Sequence, residues 1–544
     1  MNKGISDDFF KNVKSSFKLY KDCRRELSEK IIENNRWFKS IQSEQSDDNM
    51  PIPSTGFLFN AIANKHADAM DNYPEPNILE RTPEDSEEAK ILTQIIPAQL
   101  EMNNFKHTYS RAWWYKLKNG AAAYGVFFNN KLNGGIGDID ITHIDLLNLY
   151  WEPYITDIQQ SQYLFITAFD TKENLSRLYP DKKNQLEAEK DNDTTEIYSY
   201  NPSLSSEVYK DKLLVIDCYY KKPNPDGTTA VHLLKYCGDT VLSCSEEQDG
   251  EGLYRHGMYP VVIDPLFPDA DSPVGFGIID IVKNPQRYID KLDYIISKNA
   301  LMSGKIRYLI KDNGGVNENE LADMGKDIIH VAGSVDDTNI RQFQTAPLDA
   351  FIFQHRIQKI SELKEIAGNR DFQQGGTTGG VTAYGAIVAL QQAGEKISRD
   401  MINEGYEAYR KIVYMMIELI RQFFTEPRSY RIDNGVDREY ITYSNSNLEM
   451  QPLGQLFDGD DTVYRRPEFD VAVIPQKHNP YNKVSQNQLA IELYGLGIFN
   501  PDNIDQSLMM LELMQFDGKE KIAGKLKNIK ESMTALSGLA PTQP

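Results

Sequence analysis

Asp371-Phe372-Gln373-Gln374-Gly375-Gly376-Thr377-Thr378-Gly379-Gly380-Val381 is a glycine-laden loop, and a helical pattern runs unbroken behind it from Thr382 to Pro427. Thr382 offers an N-cap hydroxyl. Ile387, Leu390, Ile397, Met401, Tyr406, Tyr409, Val413, Met416, Ile420 and Phe423 then recur at threes and fours, the mark of one apolar helix face. At ~1.5 Å per residue such a helix would measure about 60 Å, so it needs a large surface along which to bury that face. The loop at its head reads as a solvated linker, a moving functional loop, or a phosphate cradle of the kind found before helix N-termini. The Walker pattern requires a lysine and a hydroxyl after its last glycine, whereas Val381 and Thr382 follow Gly380 and no strand precedes the loop.

Upstream of the loop, two helical patterns bracket a small β unit. Ser272-Pro273-Val274-Gly275-Phe276-Gly277 leads into the first, and Asn284-Pro285 is expected to interrupt and restart it. Tyr288, Ile289, Leu292, Ile295 and Ile296 mark its face as far as Met302. Lys305–Ile310, a turn at Asn313-Gly314-Gly315, a short helix, Asp327–Val331 and Ile340–Phe343 make an α+β insertion. The second helix starts at Leu348 and ends at Gly368.

Nearer the N-terminus, Ser6 caps one helix carrying Phe10, Val13, Phe17, Tyr20, Leu27, Ile31 and Phe38. Further helices are expected over Phe57–Asn72, from a Thr82 cap, and over His107–Lys118, with Tyr73-Pro74-Glu75-Pro76 as a stop. From Ala121 the period changes to two. A hairpin, Ala123–Phe128 with Ile136–Ile141, is followed by strands at Tyr163–Ala168, Leu213–Tyr220, Ala230–Tyr236 and Thr240–Cys244. Residues 185–210 read as a polar insertion. After Pro427 come strands at 430–432, 440–443 and 469–474, then helices over 484–496, 503–516 and 519–533. The class is α+β, in several domains.

The formal charge of −20, from 79 acidic against 59 basic side chains, argues against a basic DNA-binding surface but not against a protein that lets DNA pass without sticking. Cys23, Cys218, Cys237 and Cys244 lack zinc spacing and read as reduced, buried thiols of a cytosolic protein. Neither a leader-like apolar core at the start nor a run of eighteen apolar residues is present, so no membrane association is expected. Asp458, Asp460 and Asp461 lack calcium-loop spacing, the eight histidines (His143, His330 and His355 among them) are isolated, and no nucleophile elbow occurs. The lysines at 519, 521, 525, 527 and 530 read as a solvated helix face. These motifs point to no enzyme, no metal and no cofactor.

Several stretches, taken together by order and spacing, carry a resemblance. They are Ile139–Ile144 running into Tyr150-Trp151-Glu152-Pro153 and Asp157-Ile158; Pro273–Gly277; Gly379–Ile387; Lys477–Lys483 with Gln486–Leu489; and Phe499-Asn500-Pro501. With the element order above, the chain from about 60 to 520 resembles the bacteriophage portal protein, the head-to-tail connector, particularly of tailed phages of low-GC Gram-positive bacteria. The resemblance implies a homo-oligomeric ring, usually of twelve subunits, at one capsid vertex of the virion, assembled in the host cytoplasm. Double-stranded DNA passes through such a ring, and its partners are the major capsid protein, scaffold, terminase large subunit and head–tail adaptor proteins. It further implies a wing (1–276, 382–426 and 427–480), two stem helices (277–304 and 348–368), a clip (305–347), a tunnel loop (369–381) with Asp371–Gly380 facing the channel, and a helical crown (481–544). Gly394 and Gly405 would permit a kink in the long wing helix. Lys298, Lys305 and Arg307 are expected among the charges facing channel or partners. Another virion structural or scaffolding protein, or a phosphate-binding enzyme using the glycine-rich loop, are the alternative readings.

Overall fold

The computed structural model describes residues 6–40, 55–188, 212–225, 227–248, 252–304, 307–310, 315, 317–322, 328, 330–332, 340–343, 346–368, 396–433, 438–455, 462–477, 492, 495, 504–513 and 522–530. Two compact units form, Met1–Ala69 with Pro76–Ile474, and Met70–Glu75 with Pro475–Pro544. In the smaller unit, Ile504, Leu508 and Leu511 of the helix Ile504–Leu513 pack with Ile522 and Leu526 of the helical residues 522–530. Lys525, Lys527 and Lys530 are exposed on the latter, as a solvated face would be.

The larger unit mixes helices with small antiparallel sheets, an α+β arrangement. Its first helical pattern is two helices, α1 (Asp7–Cys23) and α2 (Arg25–Phe38), and not the single one expected. The break is Arg24, whose backbone leaves the helical region at φ −96° and ψ 0°. Its guanidinium is buried, lies 4.4 Å from the Trp151 ring and 5.1 Å from that of Tyr150, and donates to the Leu146 carbonyl. Burial pulls its pKa down to about 10. The two helices thereby serve different cores. Phe9, Phe10, Val13, Phe17 and Tyr20 of α1 pack on a five-stranded sheet, whereas α2 lies against the helices Phe105–Asn119 and Ile278–Gly304.

That sheet has the strand order β4-β5-β6-β7-β8, built from Leu149–Tyr150, Tyr163–Thr171, Lys212–Pro223, Thr229–Cys237 and Thr240–Cys244. Cys218 and Cys244 lie in its α1-facing core and Cys237 on the other face, all buried free thiols; Cys23 is exposed, contrary to expectation. A three-stranded sheet, β3-β2-β9, joins Asp138–Ile144, Ala121–Asn129 and Val261–Pro265. The hairpin in it sits about two residues later on its second strand than alternation suggests, and β9 is a short apolar run that local pattern did not separate from loop.

Helices α3 (Phe57–Asp71), α4 (Ser86–Met102) and α5 (Phe105–Asn119) follow the expected pattern with two changes. Thr82 caps only a tight turn, Pro83–Asp85, donating its hydroxyl to Asp85 at 2.7 Å. The stop at Tyr73–Pro76 is part of a strand, β1 (Asn72–Glu80), which among the described residues forms a two-stranded ribbon with the strand Phe469–Lys477, and such a ribbon tolerates proline because each strand has a free edge. Arg428–Asp433 pairs with Arg438–Tyr443, and Gln451–Gln455 with Thr462–Arg465, in two further ribbons.

The long helix is described over Lys396–Phe423 and packs on β9 and β2. The helix is continuous through Gly405. A Cβ at this position would sit 2.9 Å from the Trp113 ring, so the glycine permits close approach of α5. Gly394 lies outside the described residues. Beneath this contact Lys116 of α5, fully buried, reaches Asp264 of β9 at 2.5 Å and lies 4.4 Å from the Trp113 ring.

His143 on β3 stacks edge-on to Tyr115 at 4.8 Å, and its Nε2 is buried without a hydrogen-bond partner. Burial pulls its pKa down to about 4; Asp145 opposes this, while Arg111 and Lys118 add to it. The unfolded chain therefore takes up a proton before the folded one. The stability due to neutral His143 is present above pH 6.5 and is lost as pH falls toward 4. Wild type should lose roughly 2 kcal/mol more than His143→Phe between pH 7.5 and pH 5. Denaturant unfolding of both chains at the two pH values checks this, and equal losses would contradict it.

Candidate functional site

The feature most unlike an ordinary monomer is a helical hairpin. Its first arm is Ile278–Gly304, continuous through Pro285, so Asn284-Pro285 does not restart it. The carbonyl freed by the proline belongs to Ile281, a residue on the exposed side of the helix. At its base, the Pro273–Gly277 stretch lets two backbones meet: a Cβ on Gly275 would lie 1.5 Å from the Phe267 carbonyl oxygen. The return arm is Ala350–Ile366, capped by Asp349, whose side chain accepts from the Phe351 amide at 3.0 Å. Between the arms sit a ribbon, Arg307–Ile310 paired with Ile340–Phe343, and a short helix, Glu318–Ala322.

Polar contacts, among them the following two, hold the arms in register. Arg356 and Asp293 form a forked pair, with one arm at 3.0 Å. Near the tip, Asn299 donates to the Ala346 carbonyl at 3.1 Å and accepts from the Leu348 amide at 3.2 Å. Neither contact has a local sequence signal, because the partners lie 47 to 63 residues apart.

The outward faces can be read at about 100° per residue. On the return arm the inner side carries Ile352, Arg356, Lys359 and Leu363, and Gln354, Gln358, Ser361 and Glu365 form an exposed polar ridge opposite. On one flank of that ridge stand Phe353 and Ile357, and on the other Phe351, stacked on His355 at 5.7 Å. Phe351 is 63% exposed and Ile357 65%. On the first arm Ile281, Tyr288 and Ile295 repeat at seven-residue spacing in an exposed apolar line. Beside it runs a basic stripe of Arg287 and Lys291, both exposed, and half-buried Lys298.

Of the expected site residues, Lys298 thus lies on the outer side of the first arm, its ammonium 5.7 Å from the Tyr294 ring. Arg307 occupies the first ribbon position, opposite Phe343. Lys305 and the loop Asp371–Gly380 lie outside the described residues, as do Asp458, Asp460 and Asp461. Arg287 and Lys291 were not singled out from sequence, although their spacing of four, and of seven from Lys291 to Lys298, was a legible signal. Among the described residues no group of three or more potential metal ligands occurs, and no helix is long and apolar enough to cross a membrane.

No curated protein sequence matches the chain. A family model does, that of the phage P22-like portal protein, and it covers residues 66–543. This match takes in both arms of the hairpin, the ribbon between them and the long helix, and the chain belongs to the phage P22-like portal protein family.

Proposed function

We propose that the chain is the subunit of a portal ring at one capsid vertex, through which double-stranded DNA enters during packaging and leaves at ejection. The observation that carries this is the return arm with apolar side chains exposed on both flanks of a polar ridge. A subunit in a closed ring meets two neighbours through two different faces, and a helix that contacts both needs two apolar flanks. Phe353 and Ile357 would meet one neighbour, Phe351 with Tyr288 the other. A net charge of −20 keeps most of the ring from adhering to DNA, and the stripe Arg287, Lys291 and Lys298 supplies local guidance to the phosphate backbone.

In this reading 277–304 and 348–368 are the stem and 305–347 the clip, which docks the terminase large subunit and later the head–tail adaptors. Residues 369–381 are the tunnel loop, with 382–426 the long wing helix. The remaining parts of 1–276 and 427–480 complete the wing, and 481–544 form the crown within the capsid, near the major capsid protein and scaffold. The role is structural, and the ring is expected to hold twelve subunits assembled in the host cytoplasm. Negative-stain electron microscopy and mass measurement of the purified chain at several concentrations test this. Rings with a central hole are expected, appearing with concentration or on addition of scaffold; a closed dimer or tetramer without a channel would overturn the reading.

A further inference from the structure

One buried cation joins the end of the return arm to the long helix. Lys65 on α3 is 2% exposed. Its ammonium donates to the Gly368 carbonyl at 3.3 Å and to the Ser398 hydroxyl at 2.8 Å. Ser398, itself buried, donates in turn to Asp68 at 2.7 Å, one helical turn along α3 from Lys65. Gly368 directly follows the return arm of the hairpin and takes the left-handed backbone, φ 66°, that ends it. Ser398 lies on the long helix. A lysine is almost never this buried unless its charge has partners, and a carbonyl at a helix C-terminus is a favourable one.

We infer that Lys65, with Asp68, is a positioning residue: it fixes the end of the return arm at Gly368 against the long helix at Ser398. Nothing in the family match assigns this role. The clamp ties the stem arm to the wing helix through a third element, α3, so that a displacement of either end is felt at the other. Its bearing on DNA passage rests on the ring reading above; the clamp itself does not.

The test is amide hydrogen exchange on the assembled full-length chain carrying Lys65→Met, which keeps the length and apolar stem of the side chain. Exchange at 363–368 and at 398–404 should quicken together by roughly tenfold or more, while β5–β7 stay unchanged. Ser398→Ala, a smaller and well-tolerated change, should quicken the same two segments to a lesser degree. Unaltered exchange, acceleration at one end only, or equal acceleration throughout the molecule would overturn the clamp. In reconstituted packaging, Lys65→Met rings should load severalfold less DNA per capsid at equal ring incorporation. Full loading despite accelerated local exchange would overturn the role in DNA passage. Ring formation by wild type is read separately by microscopy, so failure of the portal reading is distinguishable from failure of the clamp.

Discussion

Lys116→Met is expected to lower folding stability by about 3–5 kcal/mol, because it strands a carboxylate in the core. Asp264 is 1% exposed and its Oδ2 has no hydrogen-bond partner, so Lys116 Nζ at 2.5 Å carries most of its stabilisation. Burial already pushes the Asp264 carboxyl upward, with Lys116 opposing. Without the lysine, the folded-state pKa rises further above the unfolded value. The damage is then greatest at neutral pH and recedes as pH falls through that raised pKa, where Asp264 takes up a proton. Lys116→Met with Asp264→Leu removes both charges and should recover most of the loss. Denaturant unfolding of the single and double variants at pH 8 and pH 5 checks both statements. A single variant as stable as wild type at pH 8 would mean the pair contributes little.

The largest effect on assembly is expected from the hairpin. Ile357→Glu or Phe351→Asp puts a charge where the ring reading places an apolar contact, while each side chain is mostly exposed in the subunit and its replacement should leave the fold intact. A contact at the centre of an interface costs at least about 2 kcal/mol when lost, roughly a thirtyfold weakening, and a buried unpaired charge costs more. Because every junction in a closed ring repeats the defect, rings should be absent at concentrations where wild type assembles. Thermal unfolding of the isolated subunit should move little. Sedimentation and electron microscopy report the first, calorimetry the second. Intact rings from both variants would place the interface elsewhere.

Much of this architecture was legible in the sequence because it is written in local pattern. The two arms of the hairpin, the ribbon between them and the described part of the long helix all follow from apolar spacing and turn residues. What local pattern misses is where a distant partner overrules it. Arg24 sits in a run that reads as helix, yet Trp151, Tyr150 and the Leu146 carbonyl more than 120 residues away hold its guanidinium and break that run. Pro285 reads as a break, but a single missing hydrogen bond on an exposed face did not outweigh the burial of Ile279, Val282 and Ile289 on either side. Gly405 reads as a flexible point, and is a seat for Trp113. The clamp at Lys65 was invisible for the same reason, its partners lying 303 and 333 residues on.

The divided N-terminal helix has a consequence for synthesis. The apolar side of α1 is covered by Tyr163, Phe165, Tyr220 and Tyr236, and Lys14 pairs with Asp239. α2 waits longer still, since Lys30 and Asn34 find Asp280. A ribosome adding about 5–20 residues per second needs roughly 10–45 s after Cys23 to deliver the last strand of the sheet. For that interval both helices are amphipathic and without their docking sites, so they are made well before the surfaces that cover them. Apolar surface left uncovered during synthesis is what makes incompletely folded chains aggregation-prone, and here it is concentrated on α1 and α2.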